Sequence, residues 1–172
     1  MIRVARPDDL PVLREIERDA GSAFRDFGMA AIANDDPLTE ELLAVFQRDG
    51  RAWVVADSDD RPVGYVLVSR VDGNGHVDQV SVHPTHSRQG LGRALLEEAE
   101  AWAEKCGLPA LTLTTFVHVP WNAPYYERLG FRTLHADETG EGLRAVEDHE
   151  RALGLALWPR VSMQRVVRRT PR

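Results

Sequence analysis

The stretch Val80-Ser81-Val82-His83-Pro84-Thr85-His86-Ser87-Arg88-Gln89-Gly90-Leu91-Gly92-Arg93-Ala94-Leu95-Leu96 has the residue types of a phosphate-binding turn. A valine-rich strand runs into a polar loop, and two glycines then open a run with helical periodicity. The first N–H groups of a helix have no intrahelical acceptor and carry a partial dipole charge of about +0.5, so they attract an anion, and glycine lets the main chain approach it closely. Two familiar versions of such a cradle are excluded. No Gly-Lys-Ser/Thr places a lysine on nucleoside phosphates, and Gly90-x-Gly92 is not followed by the third glycine of a dinucleotide fingerprint. An ordinary tight strand-to-helix turn would use the same glycines, so the surrounding chain must decide between the two.

The deciding segment is Trp121-Asn122-Ala123-Pro124-Tyr125-Tyr126-Glu127-Arg128-Leu129-Gly130-Phe131. With both segments on one chain, the sequence resembles the GNAT superfamily of acetyl-CoA-dependent N-acetyltransferases. The likeness is to its strand, R/Q-x-x-G-x-G/A and helix, followed by a strand, a helix bearing Tyr, and Leu-Gly-Phe. The order of elements agrees from Ile2 to Val167. One departure is Ser87, which stands where the family often has Gln or Arg; in a cradle made mainly of main-chain N–H groups this alters affinity more than identity. The resemblance implies a single α/β (α+β) domain over residues 1–172. It has one mixed, mostly antiparallel sheet of about seven strands flanked by about four helices, with acetyl-CoA as co-substrate.

Acetyl transfer from a thioester to an amine sets three requirements. An alkylamine with a pKa near 10.4 is unprotonated in only about one molecule in a thousand at neutral pH, a handicap of roughly 4 to 5 kcal/mol, so a base must take its proton. Negative charge on the thioester oxygen needs a positioned donor, and the departing thiolate benefits from an acid. By resemblance the acid is Tyr126, five residues before the Phe of Leu-Gly-Phe; the alternative is a core ring with a satisfied hydroxyl. For the base the resemblance offers His76 and Asp78, two apart on the strand before the cradle and therefore on one face of it, and the residues leave the choice open. Other members use a glutamate where this chain has Thr114. Main-chain N–H groups at Val80 and Val82, with Ser81 between them, are implied for the oxyanion and the pantetheine arm, their side chains being core valines. Arg88, Gln89, Gly90, Leu91, Gly92 and Arg93 are implied for the pyrophosphate, although Arg88 and Arg93 would serve equally as surface charges. Asn122 lies four residues before Tyr126, against the family's usual seven, and is either a cofactor contact or the N-cap of the helix opened by Ala123-Pro124.

For the acceptor, the resemblance points to the first two helices and the segment before the last strand. Phe24, Asp26, Phe27, Met29, Asp35 and Asp36 stand on one side, with Trp121, Trp158 and residues 136–159 on the other. Aromatic rings with acids suit a small cationic amine. A protein N-terminus or lysine is the alternative acceptor. A non-catalytic acetyl-CoA-binding module is the alternative class, and it would have no use for Tyr126 or a base.

The rest of the chain must position these residues. At 172 residues and 43% hydrophobic content, one core can be filled, and two separate folding units are not expected. A formal net charge of -6 disfavours nucleic acid, whose phosphates demand cations. No apolar run approaches the roughly 20 residues that cross a bilayer, and the first residues lack signal-peptide character, so the expectation is a cytoplasmic protein with a small-molecule partner and no membrane; pairing into a homodimer stays open. The single Cys106 forms no internal disulfide and falls on a helical apolar stripe, and the scattered histidines suggest no metal site.

Strand Ile2 to Val4 leads to a helix capped by Asp8 with Leu10, Leu13, Ile16 and Ala20 inward. A second helix spans about Thr39 to Phe46, inward through Leu42, Leu43 and Phe46. Ala52 to Ala56 and Val63 to Val71 form a hairpin, and Gly73-Asn74-Gly75 turns into the strand from His76 to Val82. The long helix from Gly90 places Leu91, Leu95, Ala99, Trp102 and Cys106 on one stripe and stops at Gly107 and Pro109. Leu111 to Phe116 then follows as a parallel crossover strand. A short helix from Ala123 to Leu129 precedes the strand Phe131 to Leu134. Thr139-Gly140-Glu141-Gly142 reads as loop, Glu147 to Leu157 as a short helix, and Val161 to Val167 as the last strand before Arg168, Arg169 and Arg172.

Overall fold

The computed structural model describes residues 1–168; Arg169 and Arg172 of the arginine-rich tail lie outside the described residues. Seven strands, β1 (Ile2–Val4), β2 (Ala52–Ala56), β3 (Pro62–Val71), β4 (Asn74–Val82), β5 (Ala110–Phe116), β6 (Arg132–Thr133) and β7 (Arg160–Val166), form one sheet in the order β1-β2-β3-β4-β5-β7-β6. β1 with β2, β2 with β3, β5 with β7 and β6 with β7 are antiparallel. β4 and β5, joined through a helix, are parallel, with Gly75 in register with Leu111 and His76 with Thr112. The mixed, mostly antiparallel sheet expected from the sequence is therefore present.

Among the described residues six helices accompany it, where about four were expected: α1 (Leu10–Gly21), α2 (Ala30–Ala33), α3 (Glu40–Arg48), α4 (Leu91–Lys105), α5 (Ala123–Arg128) and α6 (Glu141–Ala152). Contacts group the chain into two units, residues 1–68 with 78–99, and residues 69–77 with residue 100 onward.

In the first unit, α1 and α3 bury Leu10, Leu13, Ile16, Leu43 and Phe46 in one cluster with Ala52 and Val54 of β2 and Tyr65 and Leu67 of β3. Leu42, expected inward, is 44% exposed. α1 starts after Asp9, not Asp8. The Asp9 carboxylate accepts the Arg6 N–H at 2.7 Å and pairs with Arg3 at 2.7 Å, which holds the segment from β1 into the helix. Thr39 caps α3, its hydroxyl accepting the Leu42 N–H at 3.3 Å. The α4 stripe centres on Leu95, Leu96, Ala99 and Ala103, while Leu91 and Trp102 are half-buried at its edges. Cys106 is also half-buried and lies just beyond the end of α4, not on the stripe.

In the second unit, the turn before β4 is Asp72-Gly73, with φ of 52° and 75°, the left-handed pair of a two-residue hairpin; Asn74 and Gly75 belong to the strand. Asp72 does more than turn the chain. Its two carboxylate oxygens accept the N–H groups of Gly142 and Leu143 at 2.7 and 2.8 Å, capping α6 from a residue seventy positions away. This is why α6 begins at Glu141, inside the stretch read as loop, and ends at Ala152. A Cβ at Gly140 or Gly142 would stand 2.6 or 2.7 Å from that carboxylate, so both glycines are required by the cap. Arg165 of β7 pairs with Glu100 of α4 at 2.9 Å, donates to the Leu129 carbonyl at 3.0 Å and stacks on Phe131, tying three elements together.

Candidate active site

In the first unit, β4 passes through a 3-10 turn at Pro84–His86 to Arg88 and Gly90, both left-handed with φ of 61° and 77°, and α4 starts at Leu91. Left-handed residues in such a loop turn successive N–H groups toward one side, the arrangement that binds anions. The N–H groups of Arg88, Gln89, Gly90, Leu91, Gly92 and Arg93 meet no acceptor among the described residues, whereas the next, that of Ala94, already bonds Gly90 O at 3.0 Å. Nothing lies within 4 Å of a Cβ built on Gly90, so the space in front of it is open. These residues fit a diphosphate held by main-chain donors. The Arg93 side chain turns along the helix to Glu97 at 2.9 Å, while Arg88 and Gln89 are exposed.

β4 alternates. Ser81 points inward and is 8% exposed, while Val80 and Val82 are half-exposed and not core residues as expected. The inward side chains form a polar chain that the sequence reading missed. Gln79 Nε2 donates to Ser81 Oγ at 2.9 Å, Ser81 hydrogen-bonds the fully buried Tyr65 phenol, and that phenol donates to Glu17 Oε2 at 2.9 Å. Burial raises the Glu17 pKa, against the lowering effect of Tyr65 and of the Leu38 N–H. No local pattern signals this, because the links come from three separate elements, α1, β3 and β4. Asp78 is exposed on β4. Phe24 and Phe27 lie on a 3-10 helix at Ser22–Phe27, half-buried and 47% exposed respectively.

In the second unit, Asn122 precedes α5 and its carbonyl accepts the N–H groups of Tyr125 and Tyr126 at 2.9 and 3.0 Å. Its side chain makes no capping bond, which removes the simple N-cap explanation for an asparagine there. Tyr126 is 9% exposed and packs edge-on against Phe131 at 5.8 Å. Its hydroxyl makes no hydrogen bond among the described residues. Burial raises its pKa well above the ordinary phenol range, so it is a donor at any physiological pH. The hydroxyl is not among the buried side-chain oxygens left without a partner, so it reaches the surface and is open to a ligand. Trp121 is half-buried beside this segment.

His76 was expected at a solvated turn or as a base, and the structure buries it. It is 3% exposed, with Nδ1 at 2.9 Å from Thr112 Oγ1 across the β4–β5 pair. Burial lowers its pKa to about 4, against a smaller opposing pull from Asp72. It is neutral at pH 7 and accepts protons poorly. A second polar group was also missed: Glu147 and Glu150, three apart on one face of α6, meet Thr114, Arg160 and Ser162. Among the described residues, no group of three or more His, Cys, Asp or Glu is placed to hold a metal, and no helix is long and apolar enough to cross a membrane.

Known proteins carry the same architecture. The chain is 27% identical over 140 residues to the peptidyl-lysine N-acetyltransferase YjaB of Salmonella typhimurium, covering 81% of this chain and 88% of that protein. The crystal structure of the ribosomal-protein-S18-alanine N-acetyltransferase of Escherichia coli superposes with a TM-score of 0.65 at 21% identity, covering 99% of this chain and 96% of that one. Rv2747 of Mycobacterium tuberculosis, solved with CoA and NLQ, gives a TM-score of 0.71 at 17% identity, covering 98% and 99%. Residues 12–131, from α1 through the free amides before α4 to Phe131, match the acetyltransferase (GNAT) family. The chain thus belongs to the GNAT family of acetyl-CoA-dependent acyltransferases.

Proposed function

We propose that this protein moves the acetyl group of acetyl-CoA to a primary alkylamine by direct attack, with both substrates bound together. The observation that carries this reading is the run of N–H groups from Arg88 to Arg93 that meet no acceptor among the described residues, which suits a diphosphate and leaves the cofactor's sulfur end to the rest of the chain. The amine nitrogen forms a bond to the thioester carbon, main-chain N–H groups of β4 at Val80 and Val82 stabilise the oxyanion, and the C–S bond breaks as the thiolate takes a proton from Tyr126. Of the two candidate bases, exposed Asp78 is the better supported, taking the amine proton through solvent, since His76 is buried and neutral. Phe24, Phe27 and Trp121 are assigned to the acceptor.

The acceptor is an amine of the lysine type. The Salmonella relative is named for peptidyl-lysine, which supports a lysine on a polypeptide over a free small amine. The test is thiol release from acetyl-CoA with a panel of lysine peptides, peptides with free N-termini, diamines and amino acids. Saturable release with primary alkylamines, and acetyl-CoA binding in their absence, are expected. Failure to bind acetyl-CoA would end the reading.

A further inference from the structure

Beneath α6, wholly inside the second unit, lies a cavity of about 250 Å³. It is lined by Thr114 and Ser162 from the sheet, by Glu147 and Glu150 from α6, and by Trp158 and Arg160. The wall carries two carboxylates, Glu147 and Glu150, and two guanidiniums, Arg151 and Arg160, and these are not paired one to one. Glu150 is matched: it pairs with Arg160 and accepts the Thr114 hydroxyl at 2.5 Å, the two charged side chains being 13% and 19% exposed. Arg160 in turn stacks over Phe116, 4.4 Å from its centroid. Arg151, also on the wall, is taken by Asp148 at 2.5 Å. Glu147 has only the Ser162 hydroxyl, at 2.5 Å, and no Arg, Lys or His pairs with it among the described residues. Glu147 is thus the wall carboxylate without a paired cation among the described residues, in a cavity where Ala156, Trp158 and Pro159 supply apolar surface.

A carboxylate that faces a partly apolar cavity without a paired cation gains a charge-assisted hydrogen bond from a cation that enters it. An indole ring in the wall favours the same charge. The volume falls below the roughly 300 Å³ at which cavities begin to take drug-sized ligands, so the guest is the size of one alkyl chain. We propose that this cavity binds an alkylammonium chain, its charged end on Glu147 and its methylenes along Trp158. Calling that guest the acceptor rests on the acetyl-transfer reading; the binding itself does not. Nearly all of a lysine-type amine is cationic at neutral pH, so this is the form that must be recognised first.

The chain is shared by a lysine side chain and by a free amine, and calorimetry on the full protein separates them. The probes are n-pentylammonium chloride, Nα-acetyl-lysine N-methylamide and, as the uncharged match, 1-pentanol, all without acetyl-CoA. Binding of at least one cation, none of the alcohol, and a tenfold or greater loss in Glu147→Gln are expected. The tighter of the two cations identifies the source. Glu147→Asp, which keeps the charge, should bind within a few-fold of wild type. Ala156→Trp, which fills the cavity and leaves the carboxylate, should abolish binding. Unchanged affinity in Glu147→Gln or in Ala156→Trp, or no binding of either cation, overturns the proposal. Thiol release with amines that persists despite such a result leaves the acetyl-transfer reading standing without the cavity. Glu147-dependent binding in a protein that never turns over acetyl-CoA does the reverse.

Discussion

Replacing His76 by Asn separates a structural histidine from a catalytic one. In the unfolded chain the imidazole titrates near 6.5, and in the folded protein burial holds it at about 4. The folded pKa is the lower, so the unfolded chain takes the proton first as pH falls. Stability is therefore unaffected above about pH 6.5 and declines from there to about pH 4, below which both states are protonated. The full difference, about 2.5 units at 1.36 kcal/mol each, is on the order of 3 kcal/mol, and between pH 7.5 and pH 4.5 about 2.5 kcal/mol of it is lost. Urea unfolding of wild type and His76→Asn at these two pH values isolates the effect, because other titrating groups act equally on both. Wild type should lose about 2.5 kcal/mol more than the variant on acidification, whatever the substitution costs at pH 7.5. Equal losses would show that His76 is not buried in its neutral form. Turnover at pH 7.5 should fall less than tenfold in the folded variant, and a hundredfold fall would return His76 to the role of base.

Tyr126→Phe should lower kcat by about a hundredfold or more with acetyl-CoA affinity unchanged, since the hydroxyl has no hydrogen-bond partner to lose among the described residues; unchanged turnover removes it from the mechanism. Gly90→Val forces a β-branched residue to a φ of 77°, a conformational cost of about 1 to 3 kcal/mol, and should weaken acetyl-CoA binding by calorimetry at least tenfold in a protein that still melts cooperatively. Retained affinity would mean the loop does not grip the diphosphate. Asp72→Ala removes both acceptors that start α6 and should lower stability by about 1 to 2 kcal/mol, with hydrogen exchange accelerated first in residues 141–145; protection equal to wild type would mean α6 starts without this cap.

The parts legible in the sequence are those whose physics is local. Strands declare themselves by valine runs, helices by apolar residues three and four apart, and the cradle by two glycines at the junction of strand and helix, of which Gly90 takes a left-handed φ that glycine adopts freely, while the left-handed Arg88 carried no such signal. Leu-Gly-Phe after a tyrosine-bearing helix is likewise contained in a dozen residues, and so the family was readable before any contact was known. What the sequence could not reveal depends on groups brought together from distant positions. α6 starts at Glu141 because a carboxylate from the β3–β4 turn satisfies its first N–H groups. His76 is neutral because β4 and β5 bury it between them. Glu150 is matched and Glu147 is not, because β7 delivers Arg160 to one and only a serine to the other. Charge state, burial and the vacancy of a donor or acceptor are relations between neighbours in space, and a linear order of residues states which neighbours are available without stating which meet.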